Sequence, residues 1–152
     1  MTTRRNTRER ILQVAEELFA QQGFAATSIS EIAVQVGISS PGIYKHFSNK
    51  LAIYEEVCER LMAPLVEKTS KLHTAANFLE IREQIHTIMS DLSARPNIAR
   101  LVQHATLAQD ETLTLLSERW YRKIFAFISD GANNPNIEWI HAPTAMAFHC
   151  MI

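Results

Sequence analysis

The sequence predicts an all-α protein. Apolar residues recur with helical spacing along most of the chain, and glycine and proline are sparse, at 4 and 5 of 152 residues. Breaks such as Gly23, Gly37, Pro96 and Gly131 fall between the periodic stretches. A chain of this length buries roughly two-thirds of its unfolded surface, enough for a core. Cys58 and Cys150 are isolated, which argues against a disulfide framework or a zinc site and for a reducing cytoplasm. Arg4 and Arg5 lead into no apolar core, so no signal peptide is expected, and no apolar run approaches a membrane span. The net charge of -1 means that any charge meant for nucleic acid must be local.

Met1 to Asn6 is polar and is expected to be disordered when free. Arg4, Arg5, Arg8 and Arg10 make this end either a solvated tail or an arm that touches phosphates. Ile11, Val14, Ala15, Leu18 and Phe19 define a first amphipathic helix stopped by Gly23, with Phe24 as a plug between it and the next two. Ser28 caps a second helix, and Glu31 completes a capping box. Ile29, Ile32, Ala33 and Val36 share its inner face, and Gly37 suits the left-handed residue that closes a helix. Ser39 or Ser40 caps a third helix of about two turns, with Pro41 in its first turn. Ile43 and Phe47 lie on one side of it, leaving Tyr44, Lys45 and His46 for the other. This is the layout of a helix-turn-helix whose second member enters the major groove of double-stranded DNA.

The outward residues carry the chemistry. At Thr27 and Ser28 free backbone N–H groups and the helix dipole favour a phosphate, though plain capping explains Ser28 equally well. Ser39, Ser40, Gly42, Tyr44, Lys45 and His46 are the candidates on the third helix. Gly42 permits close approach, Tyr44 can donate to phosphate, and Lys45 can donate to guanine or to phosphate. His46 can instead cap the helix end.

The run Gly37-Ile-Ser-x-Pro-Gly-Ile-Tyr-Lys-His-Phe-x-Asn-Lys50, after Gly23-Phe24 and Thr27-Ser28, resembles the tetracycline-repressor-type (TetR) transcriptional regulators. The likeness is dense from Thr7 to Val57. It implies an N-terminal three-helix DNA-binding domain over 1–47 and a helical ligand-sensing and dimerisation body over 48–152. It assigns Tyr44, His46 and Lys50 mainly to phosphate, and Ser40, Gly42 and Lys45 nearer to bases. It also implies a homodimer, a palindromic operator, a small-molecule inducer and no cofactor.

In the body, Ser48 is expected to cap a fourth helix carrying Leu51, Tyr54, Val57, Cys58, Leu61, Met62 and Leu65. Pro64 should kink or end it, as a pivot or as a static bend. Residues 73–77 read as a loop, and Phe78, Ile81, Ile85, Ile88 and Leu92 as one stripe of a fifth helix. Arg95-Pro96-Asn97 breaks it before a sixth with Ile98, Leu101, Val102 and Ala105. Asp110 can cap a seventh bearing Leu113, Leu116, Trp120, Ile124, Phe127 and Ile128. Gly131 to Pro135 is a loop, and Ala142 to Ile152 starts an eighth helix. For a ligand, Met62, Met89, Trp120, Tyr121 and Phe125 offer apolar surface, and Arg82, His86 and His104 polar groups. Apolar stripes of this kind also serve simply as core.

No Ser/His/Asp or Cys/His arrangement, metal-ligand spacing or glycine-rich phosphate loop supports an enzyme. The competing reading is a helical interaction module, or a truncated regulator fragment that no longer binds an operator. Against the family pattern the eighth helix is expected to be short and the ninth missing.

Overall fold

A computed structural model describes residues 2–71, 75, 77–108, 113, 114, 116, 118–120, 122 and 123, with backbone alone at 2–5 and 78. Its elements are α1 (Thr2–Ala26), α2 (Ile29–Val36), α3 (Ser40–Tyr44), α4 (Lys50–Ser70), α5 (Phe78–Ala94) and α6 (Pro96–Leu107). Among the described residues there is no strand, and no helix is long and apolar enough to cross a membrane.

The first helix begins earlier than expected. Thr2–Asn6 continue α1 rather than forming a disordered tail, because the segment holds helix-forming arginines and no glycine or proline. Regular helix ends where Gly23 takes φ 81° and ψ 170°, and Phe24–Ala26 add a last turn. Phe24 is partly buried and packs on the core that holds Ile32 and Ile43. Its ring meets Phe19 at 5.8 Å and Tyr54 of α4 at 5.1 Å.

Local chemistry sets the two short helices. The Glu31 N–H donates to Ser28 Oγ at 3.1 Å, while the Glu31 carboxylate accepts from Gln22 Nε2 at 2.8 Å. The reciprocal half of the capping box is thus exchanged for a tie to α1. Gly37 closes α2 at φ 77°, with its N–H on Val34 O at 3.1 Å and the Ile38 N–H on Ala33 O at 3.0 Å. Ser39 is the cap of α3, its Oγ accepting from the Gly42 N–H at 3.3 Å. The helix spans 5 residues and not two turns.

Asn49, one residue beyond the expected Ser48, caps α4 by accepting from the Ala52 N–H at 2.8 Å. The helix does not end at Pro64. It runs on to Ser70, with Leu65 and Thr69 still buried, so packing compensates for the hydrogen bond that proline removes. Asn77 caps α5 through the Glu80 N–H at 3.0 Å. Ile88 packs on Leu65 of α4, flanked by Ile81 and Leu92. Ile85 stays 44% exposed, so the stripe that meets α4 is narrower than its spacing implied. Asp91 pairs with Lys68 and Arg95, and the hydrogen bond from Lys68 holds its carboxyl below the usual carboxylate range.

Pro96 opens α6, which lies along α1; Asn97 Nδ2 donates to Glu16 Oε1 at 3.0 Å. Ile98, Leu101 and Ala105 are its buried face. A further helical stretch sends Leu113, Leu116 and Trp120 into the same core. The proposed cap Asp110, together with Ile124, Phe127, Ile128, the loop at 131–135 and the helix from 142, lies outside the described residues.

One core therefore joins the N-terminal helices to the body. Ile11 and Phe19 of α1, Ile32, Ile43, Val57 of α4 and Leu101 of α6 all belong to it. Phe19 is fully buried and meets Tyr54 edge-on at 5.1 Å. Phe19→Ala should cost about 3–5 kcal/mol in denaturant unfolding, with head and body melting together. Two separated transitions would contradict a shared core.

Candidate nucleic-acid interface

A helix of 5 residues has no stability of its own. What holds α3 is its inner edge: Ile43 is fully buried and Phe47 nearly so. Phe47 also carries the Arg8 guanidinium 4.8 Å from its ring centroid, and Arg8 makes a two-pronged ion pair with Glu56 of α4. The opposite edge turns outward. Tyr44 is 55% exposed, Lys45 and Pro41 are exposed, and Ser40 and His46 are half-buried. Ser40 Oγ lies 3.4 Å from Ser30 Oγ, a residue that sequence reasoning missed, so α2 and α3 meet through two hydroxyls. The missed signal is positional: Ser30 lies just past the Ser28 cap, on the polar side of α2.

At Gly42 an added Cβ would meet Ser39 Oγ at 3.5 Å and Ile38 at 3.6 Å, ordinary contacts. The fold does not demand glycine there, and its effect is to leave the outer surface low. Ser28 and Ser39 are exposed, and each hydroxyl caps the helix that follows it. Val34, 78% exposed on α2, extends the outward surface with an apolar group.

Two expected DNA contacts are placed elsewhere. Thr27 is buried, and its hydroxyl donates to Gly23 O at 2.8 Å, so its side chain faces the protein. Lys50 is folded back: its ammonium donates to Phe24 O at 2.7 Å and Thr27 O at 2.8 Å, over the Phe24 ring at 4.3 Å. Burial there holds the Lys50 pKa below the ordinary lysine value. Neither fate was legible locally, since both depend on how α1 ends. Arg10 is also drawn inward, donating to Val36 O at 2.6 Å at the end of α2. The side chains of Arg4 and Arg5 lie outside the described residues.

The expected ligand residues do not form one site among the described residues. Arg82, His86 and Met89 are exposed on α5, Arg82 pairing with Glu83, so they face solvent and not a cavity. The α5 face that turns inward is the one carrying Ile81, Ile88 and Leu92. Met62 and Trp120 are buried in the main core, and the Trp120 ring also meets the cations of Arg119 and Lys123. His104 is half-buried against Gly23 of α1. Tyr121 and Phe125 lie outside the described residues. Buried Cys58 has its thiol pushed up to about 12 by desolvation, which makes it inert.

Residues 11–57 match the family model "Bacterial regulatory proteins, tetR family", a span that holds this whole helix-turn-helix. Over these residues the chain carries the DNA-binding region typical of the tetR family. It is 45% identical over 53 residues to the transcriptional regulator AcrR of Shigella flexneri, covering 35% of this chain and 25% of that protein. It is 30% identical over 112 residues to the nucleoid occlusion factor SlmA of Vibrio campbellii, covering 71% of this chain and 57% of that protein. In each case it spans well under two-thirds of the relative's length. The SmeT–triclosan complex shares the fold over 78% of this chain and 60% of SmeT, with a TM-score of 0.64 at 23% identity.

If the outward edge of this tetR-type head reads DNA, Tyr44→Ala and Lys45→Ala should each weaken duplex binding and leave the helical circular dichroism signal intact. A base contact would carry about 1–3 kcal/mol of discrimination. Unchanged affinity in both variants would remove α3 from the interface.

Proposed function

We propose that the chain is a DNA-binding transcriptional regulator that represses by occupying a palindromic operator as a homodimer. The supporting observation is the edge of α3, with Tyr44 and Lys45 turned out while Ile43 and Phe47 anchor it from behind. Ser28, Ser39, Ser40, Pro41, Gly42 and His46 complete the surface offered to the duplex, and Arg4 and Arg5 are proposed as further phosphate contacts from the N-terminal end. Tyr44 and His46 serve phosphates; Ser40, Gly42 and Lys45 lie nearer to bases.

Two heads are needed for energetic reasons. With a net charge of -1, one head of so few outward cations makes a small salt-dependent contribution. A second head on the same duplex roughly doubles that contribution and makes its own binding intramolecular. We assign the DNA-binding unit to 1–47 and the sensing and pairing unit to 48–152. The SmeT–triclosan complex supports a small-molecule inducer for the body. To release DNA, the inducer must bind the released state more tightly than the bound one.

Selection of bound fragments from genomic DNA tests the proposal. The expected result is a two-fold symmetric site whose half-sites are about one helical turn, 10–10.5 base pairs, or a multiple of that apart. Enrichment of single, unpaired half-sites would overturn the dimer, and no enrichment would overturn the DNA-binding reading.

A further inference from the structure

We infer that the segment from Gly23 to Thr27 is a joint through which two body helices set the pose of the reading helices, with Lys50 and His104 as its positioning residues. This inference rests on the DNA-binding reading and assigns Lys50 a role other than phosphate contact. The joint is the last turn of α1 from the non-helical Gly23 onward together with Thr27, which is followed directly by Ser28, the cap of α2.

Carbonyl groups at the end of a helix lack intrahelical partners. Here Lys50, the first residue of α4, supplies them. Its ammonium reaches Phe24 O at 2.7 Å and Thr27 O at 2.8 Å, with Ala25 O at 3.5 Å. An ammonium has three N–H donors, so this carbonyl set engages its whole capacity. Charge-assisted bonds of this kind are roughly twice as strong as neutral ones. The Thr27 hydroxyl closes the joint internally on Gly23 O at 2.8 Å.

The second body helix touches the other end of the joint. A Cβ built on Gly23 would lie 3.1 Å from His104 Nδ1 and 3.4 Å from its Cγ. The imidazole of α6 therefore sits in a notch that exists because residue 23 has no side chain. The same glycine supplies φ 81°, which other residues adopt only under strain. A movement of α4 or of α6 against α1 thus meets the chain immediately ahead of α2. The Ser30–Ser40 contact and the closing turn at Gly37 carry the pose of α2 on to α3.

The first test needs no DNA. Amide hydrogen exchange is compared between the wild-type chain, Lys50→Met and the milder His104→Ala. Lys50→Met should speed exchange of the α2 amides about tenfold, the scale of losing a charge-assisted hydrogen bond, and His104→Ala should speed it by a smaller factor, while α5 amides are unchanged in both. No change in α2, or equal acceleration throughout the chain, would overturn the inference. The second test measures affinity against salt for a duplex recovered by the selection described above. Lys50→Met should weaken binding without changing the slope of log affinity against log salt. A slope reduced by about one per head would make Lys50 a phosphate contact and overturn the positioning role. Failure of the wild-type chain to recover any duplex would defeat the DNA-binding reading, and the exchange result would still decide the joint.

Discussion

A helix barely longer than one turn cannot persist in water unless something else holds it. In this chain that something is the burial of Ile43 and Phe47, the two residues of the third helical segment that face inward. Burying side chains of this size contributes roughly 1.5–3 kcal/mol each, more than the caps at Ser39 and Gly37 supply. The anchoring decides everything outward of it. With Ile43 fixed in the core, Tyr44 and Lys45 cannot turn inward without unfolding the segment. The outer edge of α3 is held in place because its back is part of the main core, which also contains residues of α4 and α6.

Charge is distributed with the same logic. Positive residues near the N-terminus look from the sequence like a reservoir for phosphate binding, yet the arginines whose side chains are described hold the protein together. Arg8 ties α1 to Glu56 and lies over Phe47; Arg10 closes the end of α2. Lys50 does similar work at the end of α1. These cations satisfy carbonyls and carboxylates that would otherwise be left at helix ends and junctions. The surface left for a duplex is small, which is why a paired arrangement of two heads is central to the proposed function.

How much was legible in the sequence follows from how local the chemistry is. Ser28, Gly37, Pro96 and the buried pair Ile43 and Phe47 were readable, because caps, left-handed closures and helical spacing involve neighbours within a turn or so. The expected α4 cap, Ser48, is one residue early, because Asn49 has an equally suitable side chain and only the backbone path selects between neighbours. Pro64 looked like a break, and tertiary packing of Leu65 and Thr69 carried the helix through it. Thr27 and Lys50 were misread for a different reason: their partners are carbonyls released by the irregular backbone after Gly23, a feature with no linear signature. On α5 the apolar spacing was real, but it does not say which part of the stripe meets α4, and Ile85 is left exposed.

The central claim is that the outer edge of α2 and α3 is the surface that meets a duplex. Mapping backbone amide chemical shifts during titration with duplex DNA tests it most directly. The account predicts that the largest changes cluster at Ser28 to Glu31 and Ser39 to His46, with α5 silent. Changes centred on the exposed face of α5 around Arg82 and Met89, with α3 unmoved, would contradict it.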